Sequence, residues 1–135
     1  MDGCGQITDA TFKHLQGIHT LSMHSCSQDE ITDAAFAHLT GIHTLDMRDC
    51  DQITVAALKH LAGIHTLTVR NCKQVTNAAI AHLKGINTLD MSGCTRVTDA
   101  ATLHLAGIKQ LTLTGCTKIT KQALALLLGA IVVGP

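Results

Sequence analysis

Apolar positions along this chain follow a fixed order that restarts every 22 residues. In residues 41–62 these positions are Ile42, Leu45, Met47, Cys50 and Ile53. The alternation around Leu45 and Met47 predicts a short strand with one buried face, because successive side chains of a strand point to opposite sides. A pair such as Phe36 and Leu39 is spaced as on one face of a helix. Each unit is therefore predicted to contain one strand and one short helix.

Glycine marks the boundaries between units. The glycines that open successive units lie 22 residues apart, at Gly41, Gly63, Gly85, Gly107 and Gly129. We predict a single domain over residues 1–135. Its parts are a partial repeat 1–16, the repeats 17–40, 41–62, 63–84, 85–106 and 107–128, and a C-terminal tail 129–135. Repeat 17–40 has two extra residues, which we place in the turn between Cys26 and Ile31, since turns tolerate insertions.

Polar residues at the two ends of the helical run predict how it starts and stops. A threonine stands where an N-cap belongs, as at Thr32 and Thr98, and an aspartate follows both, which favours the positive helix end. The glycine after the run is expected in a left-handed backbone conformation that ends the helix. One strand and one helix per unit give parallel strands joined by right-handed crossovers. The predicted fold class is α/β, a right-handed solenoid with strands on its concave face and short helices on its convex face.

Two sequence features make the chain resemble a leucine-rich-repeat protein. One is the spacing L-x-x-L-x-L-x-x-C-x-x-L, and the other is a cysteine followed by I-T-D or V-T-D. The second feature is seen in Cys26…Ile31-Thr32-Asp33 and Cys94…Val97-Thr98-Asp99. It is similar to the cysteine-containing subclass in the repeat arrays of F-box proteins, although these repeats are shorter and no F-box segment occurs here. The resemblance implies a protein-interaction module whose concave sheet binds a partner protein of unknown identity.

Cysteine occupies the same slot of every unit. The six cysteines are Cys4, Cys26, Cys50, Cys72, Cys94 and Cys116. Equivalent slots of a parallel sheet stack about 4.8 Å apart with parallel side chains, whereas a disulfide needs Cβ atoms about 3.8 Å apart. We therefore expect a structural ladder of buried, reduced thiols, with disulfides as the less favoured alternative. Reduced thiols, and a first stretch without the pattern of a signal peptide, predict the cytosol or nucleus.

Charge and motif content exclude several function classes. The chain carries 10 basic and 10 acidic residues, so its formal charge of zero gives no global attraction to nucleic acid or to an anionic membrane. No apolar segment reaches the roughly 18 residues of a membrane-spanning helix. Motifs of metalloproteases, serine hydrolases and phosphate-binding loops are absent. We predict that the chain is not an enzyme and uses no cofactor.

Positions that vary between units on the open strand face are the best indicators of a ligand, since residues repeated in every unit are usually structural. Charged and imidazole side chains concentrate in the first three units of that face, and the last two units are mostly small and neutral there. The candidate partner-binding residues are His24, Asp46, Arg48, Asp49, Arg70 and Asn71. Arginine is the expected anchor. The alternative is a solvated face without a ligand.

Histidines form two columns and leave a metal-binding scaffold open as a minor alternative. One column is His14, His38, His60, His82 and His104, and the other is His19, His43 and His65. Their spacing is not a zinc signature, and the repetition alone explains their number, so we predict no metal site.

A self-associating structural scaffold, or a natural or designed piece of a longer array, is the second function that the sequence leaves open. The run Ala130-Ile131-Val132-Val133 is uncharged and strongly β-prone, and an exposed sheet edge recruits another strand. These four residues are the candidate oligomer interface, and we expect a homo-oligomer through the solenoid ends.

Overall fold

Six short strands form one parallel sheet in the computed structural model, which describes residues 7–26 and 31–134. The strands are β1 (Thr20–Ser22), β2 (Thr44–Asp46), β3 (Thr66–Thr68), β4 (Thr88–Asp90), β5 (Gln110–Thr112) and β6 (Ile131–Val133). Their order in the sheet is their order in the chain. Equivalent residues of neighbouring repeats pair in register, so Leu45 lies beside Leu67 and Leu67 beside Leu89. The expected α/β solenoid is confirmed.

Short helical segments connect the strands. They are α1 (Asp9–Phe12), followed by a 3₁₀ turn (Lys13–Leu15); a 3₁₀ segment (Asp33–Leu39); α2 (Val55–Lys59); α3 (Asn77–Ile80), followed by a 3₁₀ turn (Ala81–Leu83); a 3₁₀ segment (Asp99–His104); and α4 (Lys121–Leu124). The sequence predicted one short helix per unit, and in several units this segment is partly or wholly a 3₁₀-helix and not an α-helix. The cause is length: between the threonine and the glycine only about two turns fit, and runs this short tighten readily into 3₁₀ geometry.

A tight turn at glycine returns the chain from each helical segment to the sheet. Thr40 has φ −56° and ψ 127°, Gly41 has φ +85°, and the N–H of Ile42 donates to the carbonyl oxygen of Leu39 at 3.0 Å. These angles define a type II turn, in which the third residue must be left-handed. The predicted left-handed glycine is therefore confirmed, and it recurs in the other repeats with φ between 77° and 85°.

The core lies between the sheet and the helical segments and is almost entirely aliphatic. The central leucine of every strand from β1 to β5 is buried, and burial of one such side chain contributes roughly 1.5–3 kcal/mol. Phe12 and Phe36 add an aromatic contact at the N-terminal end, with ring centroids 5.9 Å apart. No repeat could bury this surface alone, so the stacking of neighbours creates the core.

Some predictions concern residues outside the described part of the chain. Cys4 and the two extra residues placed between Cys26 and Ile31 lie there, and the single domain over 1–135 stays a prediction. Among the described residues, no helix has the length and apolar character to cross a membrane.

Candidate functional site

The concave face is built from outward-pointing residues of neighbouring strands. In β2, Thr44 and Asp46 flank the buried Leu45 and are partly exposed. Backbone pairing continues beyond the strands, since the N–H of Asp49 donates to the carbonyl oxygen of Arg70 at 2.8 Å. A third row of side chains therefore follows the strand ends. It consists of His24, Arg48, Arg70, Ser92 and Thr114.

Three of the predicted residues meet at the carboxylate of Asp46. Arg48 donates from Nε to Oδ1 at 3.0 Å and from a terminal nitrogen to Oδ2, while Nε2 of His24 lies 3.1 Å from Oδ2. Burial raises the pKa of Asp46, but the hydrogen bonds from Arg48 and His24 outweigh it and the pKa is lowered. The same hydrogen bond raises the pKa of Arg48. Asp46 and Arg48 are thus a fixed, ionised pair on the face.

Arg70 is engaged much less than Arg48. Its Nε lies 3.9 Å from Oδ2 of Asp90, beyond hydrogen-bond distance, and its side chain is 50% exposed. Asp90 is held instead by Ser92, whose hydroxyl and backbone N–H donate to Oδ1 at 2.6 Å and 3.0 Å. Within the described part of the chain, the guanidinium of Arg70 makes no hydrogen bond. It therefore presents its donors to solvent near the middle of the sheet.

Sequence reasoning missed Asp90, because the fourth unit was treated as small and neutral. The signal was present in the repeat: Thr-Leu-Asp occurs both at 44–46 and at 88–90. The register places Thr68 of β3 between Asp46 and Asp90. The concave face therefore carries two carboxylates on one row, separated by one strand, with the two arginines on the adjoining row.

The other two predicted residues, Asp49 and Asn71, occupy a special backbone position. Their φ angles are 59° and 58°, and the same slot is left-handed at Ser25 (φ 53°), Gly93 (φ 73°) and Gly115 (φ 81°). Aspartate, asparagine and glycine tolerate this conformation better than other residues do. Asn71 also donates from Nδ2 to Oδ1 of Asp49 at 2.8 Å. The backbone requirement therefore explains the residue types at Asp49 and Asn71 without a ligand.

The cysteine slot is buried beneath this face. Cys50, Cys72, Cys94 and Cys116 are free and fully buried. Cys72, Cys94 and Cys116 each donate from Sγ to a carbonyl oxygen of the preceding repeat, at 3.1–3.2 Å. Burial raises the pKa of Cys72 to about 12 and raises the pKa values of the other three as well. These thiols are therefore protonated and poorly reactive in the folded protein.

Cys26 corrects the prediction of reduced thiols, because it is disulfide-bonded. The prediction relied on the strand spacing of a parallel sheet, which keeps equivalent side chains about 4.8 Å apart. Cys26 follows β1, the first strand of the described sheet, so no described strand on its other side imposes that spacing. Its Sγ still lies 3.4 Å from the carbonyl oxygen of His24, much as that of Cys50 lies 3.6 Å from the carbonyl oxygen of Arg48.

The second histidine column forms a stack of parallel rings. The centroids of His19 and His43 are 4.6 Å apart, and those of His43 and His65 are 4.4 Å apart, with planes inclined by 17° and 15°. Stacked rings turn their faces, not their nitrogens, toward one another. Among the described residues, no group of three or more histidine, cysteine or acidic side chains is placed to hold a metal ion.

The predicted oligomer interface falls on β6 and the residue before it, Ala130. The register sets Ile131 beside Gln110 and Val133 beside Thr112, so both side chains continue the outward rows of the concave face. Val132 continues the buried leucine row and is partly buried. Ile131 is 66% exposed and Val133 53% exposed. The apolar run therefore forms both the edge strand and the end of the concave face.

Comparison with known proteins identifies the architecture. No family model matches the chain, and no curated protein matches it. Among solved structures, it is similar to a chain in the crystal structure of the Rad7 and Elc1 complex in yeast, with a TM-score of 0.80, 19% identity and 99% of this chain covered. The chain has the leucine-rich-repeat fold. The leucine-rich-repeat domain of the type III effector XopL is a second similar structure, with a TM-score of 0.54 and 18% identity over 100% of this chain.

This leucine-rich-repeat chain is shorter than both solved chains. It spans 39% of the Rad7–Elc1 match and 67% of the XopL domain.

Proposed function

We propose that the chain is a non-catalytic protein-interaction module that binds a partner protein through its concave sheet. The observation that carries the proposal is Arg70, whose guanidinium lies half exposed near the middle of the sheet and 3.9 Å from the nearest carboxylate. A planar guanidinium with free donors suits a carboxylate of a partner, and central arginines are common anchors of interfaces. The similar Rad7–Elc1 structure is itself a complex of two proteins, which supports a protein partner.

The rest of the face is arranged to orient such a partner. Asp46 and Arg48 satisfy each other, so we expect them to contribute specificity and association rate more than affinity. Asp90 limits where a second acidic group could approach Arg70. The partner segment is therefore expected to place one acidic residue over Arg70 and neutral or basic residues over Asp46 and Asp90.

A quantitative capture experiment tests the proposal. The unmodified chain, Arg70→Ala and Thr114→Ala are used as baits, and the bound proteins are quantified by mass spectrometry. Thr114 is the matched control, because it occupies the same slot as Arg70 two repeats away. We expect specific partners to be lost with Arg70→Ala and kept with Thr114→Ala. Equal capture by both variants, with unchanged melting temperatures, would contradict binding through Arg70.

Self-association is the second candidate function, and the exposed apolar residues near β6 favour it. Leu126, Leu128, Ile131 and Val133 are all more than half exposed, a concentration of apolar surface that marks interaction sites. A second copy could pair with the edge of β6, and a closed two-fold contact is the common arrangement.

Sedimentation distinguishes this candidate from a monomer. We expect the unmodified chain to form a dimer or higher oligomer and Ile131→Lys with Val133→Lys to reduce it to a monomer. Thr66→Lys with Thr68→Lys places the same charges on the same two rows of β3 and is the control. A monomeric unmodified chain at tens of micromolar concentration would rule the candidate out.

A further inference from the structure

The row of residues that precedes the strands contains an imidazole stack that stops in the middle of the sheet. His19, His43 and His65 stack ring on ring in successive repeats. The next two repeats carry Asn87 and Lys109 in the same slot. The backbone continues this order, since the N–H of Lys109 donates to the carbonyl oxygen of Asn87 at 2.9 Å. Only the side chains change along the row.

An open depression lies where the stack stops. Its volume is 490 Å³, and it is lined by His65, Asn87, Thr88, Lys109, Gln110, Gly129 and Ile131. This is within the range of about 300–1,000 Å³ that small-molecule sites occupy. None of the described lining residues is acidic, and Lys109 supplies a positive charge.

The geometry of the stack explains why the depression exists. Each ring lies nearly parallel to its neighbour in the adjoining repeat, so the stack runs across the strands, from one repeat to the next. One side of the His65 ring is therefore covered by His43, and its other side is directed toward the next repeat, where Asn87 occupies the same slot. Asparagine is shorter than histidine and leaves open the space that the outer part of a histidine ring would fill in that slot. A flat face of His65 is thus presented to the depression.

We propose that this depression is a binding site for a small planar anion, of which an aromatic carboxylate is the simplest case. The ring stacks on His65 and takes the place that a fourth imidazole would occupy. The carboxylate pairs with the ammonium of Lys109, and the side-chain amides of Asn87 and Gln110 supply hydrogen bonds. Ile131 provides an apolar wall. The site is separate from the Arg70 region of the proposed partner interface.

A titration with two matched acids tests the proposal. Benzoate is added to the full chain, and the side-chain and backbone NMR signals of His65, Asn87 and Lys109 are followed. We expect saturable shifts with affinity in about the millimolar range, as suits a ligand of this size. Cyclohexanecarboxylate has the same charge and a similar size but no aromatic ring. It should bind roughly three- to tenfold more weakly, since only the stacking contact is lost.

Two variants test whether benzoate binds at the His65 end of the imidazole stack. Asn87→His adds the histidine that the preceding repeats carry, so it preserves the fold while filling the depression, and it should abolish benzoate binding. His19→Asn removes a ring from the opposite end of the stack and should change the affinity by less than about twofold. Inorganic phosphate, which has no ring, should not bind.

Three results would overturn the proposal. They are equal affinities for the two carboxylates, unchanged benzoate binding by folded Asn87→His, and the absence of saturable shifts in the unmodified chain.

Discussion

Asp33 and Thr54, on the helical side of neighbouring repeats, are joined by two hydrogen bonds. The backbone N–H of Thr54 donates to Oδ1 of Asp33 at 2.9 Å, and its hydroxyl donates to Oδ2 at 2.5 Å. The same hydroxyl oxygen accepts from the N–H of Ala56 at 3.2 Å and so caps α2. The carboxylate of one repeat thereby fixes the start of the helix in the next.

This link recurs along the convex side. The other pairs are Asp9–Thr32, Asn77–Thr98 and Asp99–Thr120. The series is interrupted at Val55, which occupies the slot opposite Thr76 and has no polar atom on its side chain. The sequence indicated that these aspartates favour the positive end of their own helix. The structure adds that they also bind the next repeat.

Removal of one link should destabilise the fold. We expect Asp33→Ala to lower the free energy of unfolding by about 1–3 kcal/mol, because the N–H of Thr54 loses its acceptor. Urea denaturation measures the change. Asp33→Asn should retain most of the stability, since Asn77 also makes two bonds to Thr98: its Oδ1 accepts from the backbone N–H at 2.9 Å, and its Nδ2 donates to the hydroxyl oxygen at 2.7 Å. If Asp33→Asn and Asp33→Ala lower the free energy of unfolding equally, Asp33 stabilises the fold through its charge and not through the hydrogen bonds to Thr54.

Restoration of the missing link should stabilise the fold. Val55→Asp offers a carboxylate to Thr76, and we expect a gain of up to about 1 kcal/mol in unfolding free energy. The lost apolar contact offsets part of it, since Val55 packs against the core. A double-mutant cycle with Thr76→Val, which keeps the backbone N–H, isolates the new bond to the hydroxyl and should show coupling of roughly 0.5–1.5 kcal/mol. Zero coupling would mean that the carboxylate does not reach the hydroxyl of Thr76.

The buried thiols predict a loss of stability at alkaline pH. Burial raises the pKa of Cys72 to about 12, whereas a thiol in the unfolded chain titrates near 8.5. A raised folded pKa contributes stability that is complete below the unfolded value and is lost as pH rises toward the folded value. The free energy of unfolding should therefore fall as pH increases above about 8.5.

Cys72→Ser provides the matched variant, because its hydroxyl can still donate to the carbonyl oxygen of Met47 but does not titrate in this range. Its free energy of unfolding, measured by urea denaturation, should decrease less steeply with rising pH than that of the unmodified chain. The native unmodified chain should also react slowly with a thiol reagent at neutral pH, and the unfolded chain quickly. Rapid labelling of Cys72 in the native state would contradict its burial.

The imidazole stack predicts sensitivity to acid. Burial, followed by the charges of His65 and His19, lowers the pKa of His43. The unfolded value is about 6.5. A lowered folded pKa means that stability is present above that value and is lost as pH falls below it. We expect the melting temperature to decrease between about pH 7.5 and pH 5.

NMR titration of the His43 ring provides the direct measurement. Its midpoint should rise when His19→Asn and His65→Asn remove the neighbouring charges. Lys59→Gln changes an exposed residue of the helical side and should leave the midpoint unchanged. A melting temperature that stays flat over the acid range would show that the stack is fully solvated.

The sequence by itself determined the repeat, the parallel sheet and the glycine turn. These follow from local patterns: the alternation around Leu45 specifies a half-buried strand, and Gly41 permits the left-handed residue of the turn. Because four successive repeats have the same length, equivalent residues must stack in register. The rows of the concave face in these four repeats could therefore be predicted as neighbours. The contact of His24 with Asp46 comes from the 24-residue repeat, where the register also depends on the position of the two extra residues.

Only the tertiary structure decided how those neighbours are used. It shows that Arg48 is satisfied by Asp46 while Arg70 remains open, that the type of residue at Asn71 suits a left-handed backbone, and that Asp33 binds across repeats. Each depends on side-chain or backbone geometry that the repeat pattern does not specify. A hydrogen bond at 3.0 Å and a loose contact at 3.9 Å, for example, carry different energies. A repeat pattern specifies which residues are adjacent, but side-chain geometry determines which of them bind each other and which remain available to a ligand.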